Sequence, residues 1–126
     1  MFKFPCEIIF QFVLPSMRKE MVLYFVKKKS LRQREIAKIL GITDAAVSQY
    51  IKGKRGKYFK FDAKMKKKIY EMSDALLEHY KSHEKKHSGS EFMSDACEIC
   101  KELRSSRALC HLHKELNFDI GNCKAC

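Results

Sequence analysis

Residues Gln33 to Ile51 read QREIAKILGITDAAVSQYI, and this stretch decides the fold. Ile36 and Leu40 lie four apart, as do Val47 and Ile51, so each pair shares one face of a helix. Gly41 stands where the first helix must stop, because glycine takes the left-handed C′ conformation with little strain. Thr43 follows as an N-cap whose hydroxyl can accept an orphan N–H of the next turn. Ala37 is small where the second helix presses on the first, and Ile42 fills the corner. With Ser30-Leu31-Arg32-Gln33 read as a capping box, one helix is expected to run to Leu40. A second, capped by Thr43, is expected to reach about Lys52 and to end at Gly53.

The outward side of that second helix carries Ala45, Ser48, Gln49 and Lys52 at i, i+3, i+4 and i+7. A core would not want this small, polar face, but the DNA major groove would, since it admits a helix and shows each base pair a distinct pattern of donors and acceptors. Gln49 suits an adenine edge, Ser48 several bases, Ala45 a thymine methyl, and Lys52 a guanine or a phosphate. Asp44, in the first turn, either accepts from cytosine or favours the helix dipole.

Outward from this stretch the chain continues to read as helix. The protein has 126 residues, with only two prolines and five glycines, which favours an all-α architecture over a turn-rich β one. A short helix is expected from Pro5 to Leu14, with Pro15 ending it. Ser16 then caps a helix to about Lys29, apolar on more than one side through Met17, Met21, Tyr24 and Phe25 and through Val22 and Val26. Such a helix is buried within a domain or shared with a partner subunit. Gly53 to Phe61 reads as an exposed basic loop. Asp62 caps a long helix to about Tyr80, with Met65, Ile69, Met72, Leu76 and Tyr80 as its stripe. These elements assign residues 1–80 to a DNA-binding domain, 81–91 to a polar linker and 92–126 to a cysteine-rich module.

Charge follows the same division. Twenty-six Lys and Arg against fifteen Asp and Glu leave +11 overall. Residues 1–90 hold 21 basic and 9 acidic side chains, a net +12, and residues 91–126 hold 5 and 6, a net −1. Lys52, Lys54, Arg55, Lys57, Lys60, Lys64, Lys66, Lys67 and Lys68 face a single acid, Asp62, in the same stretch. Four of those lysines fall in the first turns of the long helix, where the macrodipole disfavours positive charge. Duplex phosphates would offset that cost. Lys54, Arg55, Lys57, Lys64, Lys66 and Lys67 are therefore the expected backbone contacts, beside Thr43 and Asp44 at the start of the recognition helix.

The stretch from Pro5 to Gly56, with PCEII at its start, Leu14-Pro15 and Arg18 after it, then QREIAKILGITDAAVSQYIKGKRG, resembles the archaeal Xre-type (lambda-repressor-like) transcriptional regulators. The resemblance covers roughly the first half of the chain. It implies a compact helical bundle with a helix-turn-helix that binds operator DNA as a dimer, with Ala45, Ser48, Gln49 and Lys52 at the base-contacting positions. In archaea that domain also occurs fused to biosynthetic enzymes, where it represses genes in response to a ligand. Some members of the family end in a similar Cys-x2-Cys segment.

Five of the six cysteines lie in the last thirty residues, as Cys97-x2-Cys100, Cys110-x2-His113 and Cys123-x2-Cys126. A two-residue spacer lets both side chains of a turn converge on one metal. The two outer pairs supply the four thiolates of a tetrahedral zinc shell, leaving Cys110 and His113 to spare. Four of the five cysteines equally suit a 4Fe-4S cluster, which would give a DNA-binding protein a redox or iron sensor. A thiol–disulfide switch is the third option. Cys6 reads as a buried small hydrophobe, His79, His83 and His87 as a solvated spacer, and His111 as surface.

No Ser/His/Asp set, paired acids in an apolar frame or phosphate loop is present, so no enzyme is expected and no small-molecule substrate is evident. The longest apolar runs are far short of the roughly 20 residues that span a bilayer, and the expected location is cytoplasmic. The leading reading is a homodimeric, sequence-specific regulator on double-stranded DNA. Its rivals are a metal or electron carrier with a basic body and an RNA-binding accessory protein, the latter disfavoured because the aromatic residues form no stacking platform.

Overall fold

A computed structural model describes residues 5–82, 90–105 and 108–115. Among the described residues every regular element is helical, as the composition implies. The order is α1 (Pro5–Ile8), a π-helical turn (Ile9–Val13), α2 (Leu14–Lys29), α3 (Gln33–Leu40), α4 (Asp44–Ile51), α5 (Ala63–Ser82), α6 (Ser90–Ser105) and α7 (Ala108–Glu115).

Pro15 does not end the first helix. Ile8, Val13 and Leu14 all keep right-handed helical dihedrals, so α1, the π turn and α2 run on continuously. A proline inside a helix lacks an N–H and presses on the carbonyl four residues back. The wider turn upstream, with the Leu14 N–H donating to the Ile9 carbonyl, makes room for the ring. Ser16 consequently sits inside the helix rather than capping one. It is buried, donates to the Phe12 carbonyl at 2.8 Å and accepts the Phe59 N–H at 3.2 Å.

The capping frame before α3 also differs from expectation. Ser30 is left-handed, with φ of 50°, and closes α2. Arg32 is the N-cap residue of α3, and Glu35, not Gln33, accepts its N–H at 3.2 Å. Ser30 could not both close one helix and open the next.

Helix α2 lies at the centre, packed against α3, α4 and α5, which explains its apolar residues on several sides. Met17, Met21, Val22 and Phe25 are buried there, and Ile36, Ala37, Ile39, Val47 and Tyr50 close over them from α3 and α4. Burying a side chain such as Phe25 contributes about 2–3 kcal/mol. A polar brace joins α2 to α5: the Tyr24 hydroxyl donates to Asp74 at 2.9 Å, Lys29 pairs with the same carboxylate at 3.1 Å, and Tyr24 stacks on Tyr70 at 4.6 Å. Burial, then the Asp74 hydrogen bond, raises the Tyr24 pKa above its ordinary 10.0.

Asp62 caps α5 as expected, accepting the Met65 N–H at 2.8 Å. Met65, Ile69 and Met72 are buried, but the stripe then turns to Leu77, while Leu76 is half-buried and Tyr80 exposed. A stripe at strict helical spacing assumes one partner, whereas α5 touches α2, α3 and α6. Ser73 is fully buried on the same helix and donates to the Ile69 carbonyl at 2.7 Å.

The described part of residues 92–126 packs on this body. Ile99, Leu103 and Leu112 are buried in the same apolar cluster as Ile8, Phe25 and Ile69. Helix α6 rests on α5, and α7 meets α6 and α1. Of the expected linker, Lys81 and Ser82 belong to α5 and Ser90 opens α6, while residues 83–89, including His83 and His87, lie outside the described residues.

Candidate nucleic-acid interface

Three residues, Gly41 to Thr43, join α3 to α4. Gly41 is left-handed, with φ of 67°, and both its N–H and that of Ile42 return to the Ala37 carbonyl. Thr43 Oγ1 accepts the Ala46 N–H at 3.1 Å. Ala37, Val47 and Tyr50 are buried where the helices meet the core, and Leu40, Ile42 and Ile51 pack at its edge. The turn is thus held by backbone bonds at one end, a side-chain cap at the other and apolar contact between them. Tyr50 takes no part in the pattern expected from sequence; its signal was its position three after Val47, on the same inward face.

On the outward side Thr43, Asp44, Ala45 and Lys52 are exposed, and Ser48 and Gln49 half-buried. Gln49 Oε1 is buried and accepts no hydrogen bond among the described residues, so reaching a base requires its amide to turn outward. The Lys54 N–H donates to the Gln49 carbonyl at 2.9 Å, and Gly53, at φ of 73°, turns the chain away from α4.

The loop that follows is only partly the exposed basic segment expected. Lys54, Arg55, Lys57 and Lys60 are exposed, but Gly56 and Phe61 are buried and Phe59 packs against the core. Lys52, Lys54, Arg55 and Lys57 enter no ion pair among the described residues, and Lys57 lies 5.9 Å over the Tyr58 ring.

The lysines of α5 divide. Lys67 is exposed and Lys66 half-buried, both unpaired among the described residues. Lys64, one of the expected phosphate contacts, reaches Glu102 of α6 at 3.0 Å, and Lys68 reaches the same Oε1 at 3.2 Å. The like charge gathered at the start of α5 is offset here from within the chain. Hydrogen bonds from Lys64 and then Lys68 lower the Glu102 pKa below its ordinary 4.5. The Lys64 side chain is 74% exposed, so water screens that pair strongly.

Comparison of the chain with known protein families, with characterised proteins and with solved structures finds no match.

The cysteine pattern is only partly visible. Cys97 and Cys100 sit at i and i+3 within α6, on a helix rather than the expected turn. Cys97 is exposed and Cys100 half-buried against the core. Residues at i and i+3 share a helix face, so both thiols can still turn to one centre. Cys110 falls in α7, with its side chain outside what is described, as is that of His113. Cys123 and Cys126 lie outside the described residues. Among the described residues, no three His, Cys, Asp or Glu side chains converge on a metal position, and no helix is long and apolar enough to cross a membrane.

Proposed function

We propose that this chain is a sequence-specific DNA-binding transcription regulator in which α3 and α4 act as a helix-turn-helix and α4 enters the major groove. The observation that carries this reading is the division of α4: Val47 and Tyr50 are buried, while Asp44, Ala45 and Lys52 stand exposed beside Ser48 and Gln49. Ala45 meets a thymine methyl, Ser48 and Gln49 read base edges, and Thr43 and Asp44 face the groove at the helix start. Because Gln49 Oε1 holds no partner among the described residues, turning the amide out to an adenine sacrifices no hydrogen bond there. Lys52, Lys54, Arg55, Lys57, Lys66 and Lys67 neutralise phosphates, which position the protein without reading sequence. Lys64 joins them only where Glu102 releases it.

A cytoplasmic homodimer is part of this reading, its two α4 helices about 34 Å apart on one face of the duplex. The cysteines of the tail form its metal-bearing part. Cys97 and Cys100 supply one pair of thiols, and Cys110, Cys123 and Cys126 are the source of the rest. Four thiolates suit zinc, which would brace the tail, or a 4Fe-4S cluster, which would make the regulator responsive to redox state or iron. Iron, sulfide and zinc analysis of anaerobically purified protein separates the two.

Selection of bound duplexes from a random pool tests the whole reading. The expected result is a two-fold symmetric motif, with Gln49→Ala relaxing preference at one position per half-site by about 1–3 kcal/mol. Recovery of no motif would refute sequence-specific recognition and favour a metal or electron carrier with a basic body.

A further inference from the structure

A cleft of about 290 Å³ opens between α2 and the loop that leads into α5. Lys19 of α2, Lys57 and Lys60 of the loop and Lys66 of α5 line it, with Phe59 and Phe61 as its apolar wall and Glu20 as the one carboxylate among its lining residues. Four lysines less one glutamate leave three positive charges around one hollow. Three lysines elsewhere are neutralised within the chain: Asp74 takes Lys29, and Glu102 takes Lys64 and Lys68. Here none of the four lysines enters an ion pair among the described residues, although Lys19 and Lys66 are half-buried. Like charges gathered from three segments repel one another, and although water screens the exposed Lys57 and Lys60, an anion between the four would offset what repulsion is left.

The hollow has a fixed frame. Gly56, at φ of 73°, lies so close to α2 that a Cβ there would stand 2.5 Å from the Pro15 carbonyl oxygen and 2.8 Å from Lys19 Cβ. Buried Ser16 accepts the Phe59 N–H at 3.2 Å. Phe61 is buried and meets Phe59 edge-on at 4.9 Å. The loop is therefore pinned to the body at Gly56, Phe59 and Phe61, and the ammonium groups project from a backbone that is already ordered. Such preorganisation lowers the entropy lost on binding.

We propose that this cleft is a phosphate seat, in which the ammonium groups of Lys19, Lys57, Lys60 and Lys66 converge on phosphate oxygens. Lysine binds phosphate as a point charge with three rotatable donors, and three net positive charges around the hollow suit the diphosphate group of a nucleotide. A phosphodiester of bound duplex offers the same chemistry. Occupation of the seat does not depend on α4 reading base pairs.

The test titrates pyrophosphate and ADP into the full chain at constant ionic strength, followed by calorimetry and amide chemical shifts. It is repeated with Lys19→Gln/Lys60→Gln, whose thermal midpoint is checked against the parent chain. Saturable binding with shifts at Lys19, at Gly56 to Phe61 and at Lys66, weakened at least about tenfold in the variant, supports the seat with a free nucleotide as its source. In a parallel arm, duplex affinity is measured against salt. If neither small anion saturates but the variant binds all duplexes more weakly, with a log–log salt slope smaller by about two, the seat stands with the duplex phosphate as its source. If parent and variant behave alike in both arms, the proposal is overturned. The small-anion arm decides the matter even for a chain that binds no DNA, so failure of the regulator reading and failure of the seat are distinguishable.

Discussion

The α3–α4 pair and the α6–α7 pair both stand out by residue spacing, and spacing means different things in the two. In α3–α4 each signal is a local conformational preference. Glycine takes positive φ at position 41, threonine caps at 43, and apolar residues recur at helical period. These preferences act within a few residues, so the local geometry follows wherever the segment sits. In α6 the signal is Cys-x2-Cys, which states only that two side chains share a face. A turn satisfies it, and so does the middle of a helix. The alternation that decided for helix is apolar: Ile99 and Leu103, four apart, are buried on the body. A motif defined by conformation is therefore stronger evidence of structure than a motif defined by ligand chemistry.

Leu103→Ala strikes hardest at this contrast. Leu103 is fully buried in the cluster that also holds Phe25 and Ile69, so the loss is expected to be about 2–5 kcal/mol in one cooperative denaturant transition. Two separate transitions, the first alone displaced, would mean that α6 and α7 pack independently of the body.

Two glycines separate local preference from distant contact in the same way. Gly41 and Gly56 both have positive φ, but a Cβ at Gly41 meets nothing within 4 Å and one at Gly56 meets backbone. Gly41→Ala should cost about 1–2 kcal/mol, the left-handed penalty alone. Gly56→Ala should cost about 1–3 kcal/mol more, because α2 or the loop must shift. Equal midpoints in urea would show that the loop yields freely and is not pinned.

A weaker effect concerns the contact between the two regions. The folded-state pKa of Glu102 is depressed below 4.5, chiefly by its hydrogen bonds to Lys64 and Lys68. Its contribution is present above pH 4.5 and is lost as pH falls through the lower folded value. Comparing the chain with Glu102→Gln from pH 7 to 3 should give a small stability difference that shrinks toward the acid end. The α2–α5 brace has the opposite sign. Lys29 is raised above its ordinary 10.5, first by its hydrogen bond to Asp74, so its contribution is lost as pH rises through the folded value. A Glu102→Gln difference that persists undiminished to pH 3 would show that the side chain acts through packing and not charge.

What could be read in the chain itself were the features governed by neighbours a few residues away: the helical class, the Gly41 turn, the Thr43 and Asp62 caps, and the polar outer side of α4. Pro15 misled because a local rule met a helix already continuous on both sides, and a π turn was less disruptive than a break. Ser16 misled with it, since a serine after a proline suits a cap until a distant loop needs its hydroxyl. Only the tertiary structure decided what depends on partners far along the chain. Tyr24 and Lys29 meet Asp74, Lys64 meets Glu102, and four lysines from three segments surround one cleft. Periodicity says which face of a helix is polar; it cannot say which polar groups will be brought together across it, because that is set by how the helices pack.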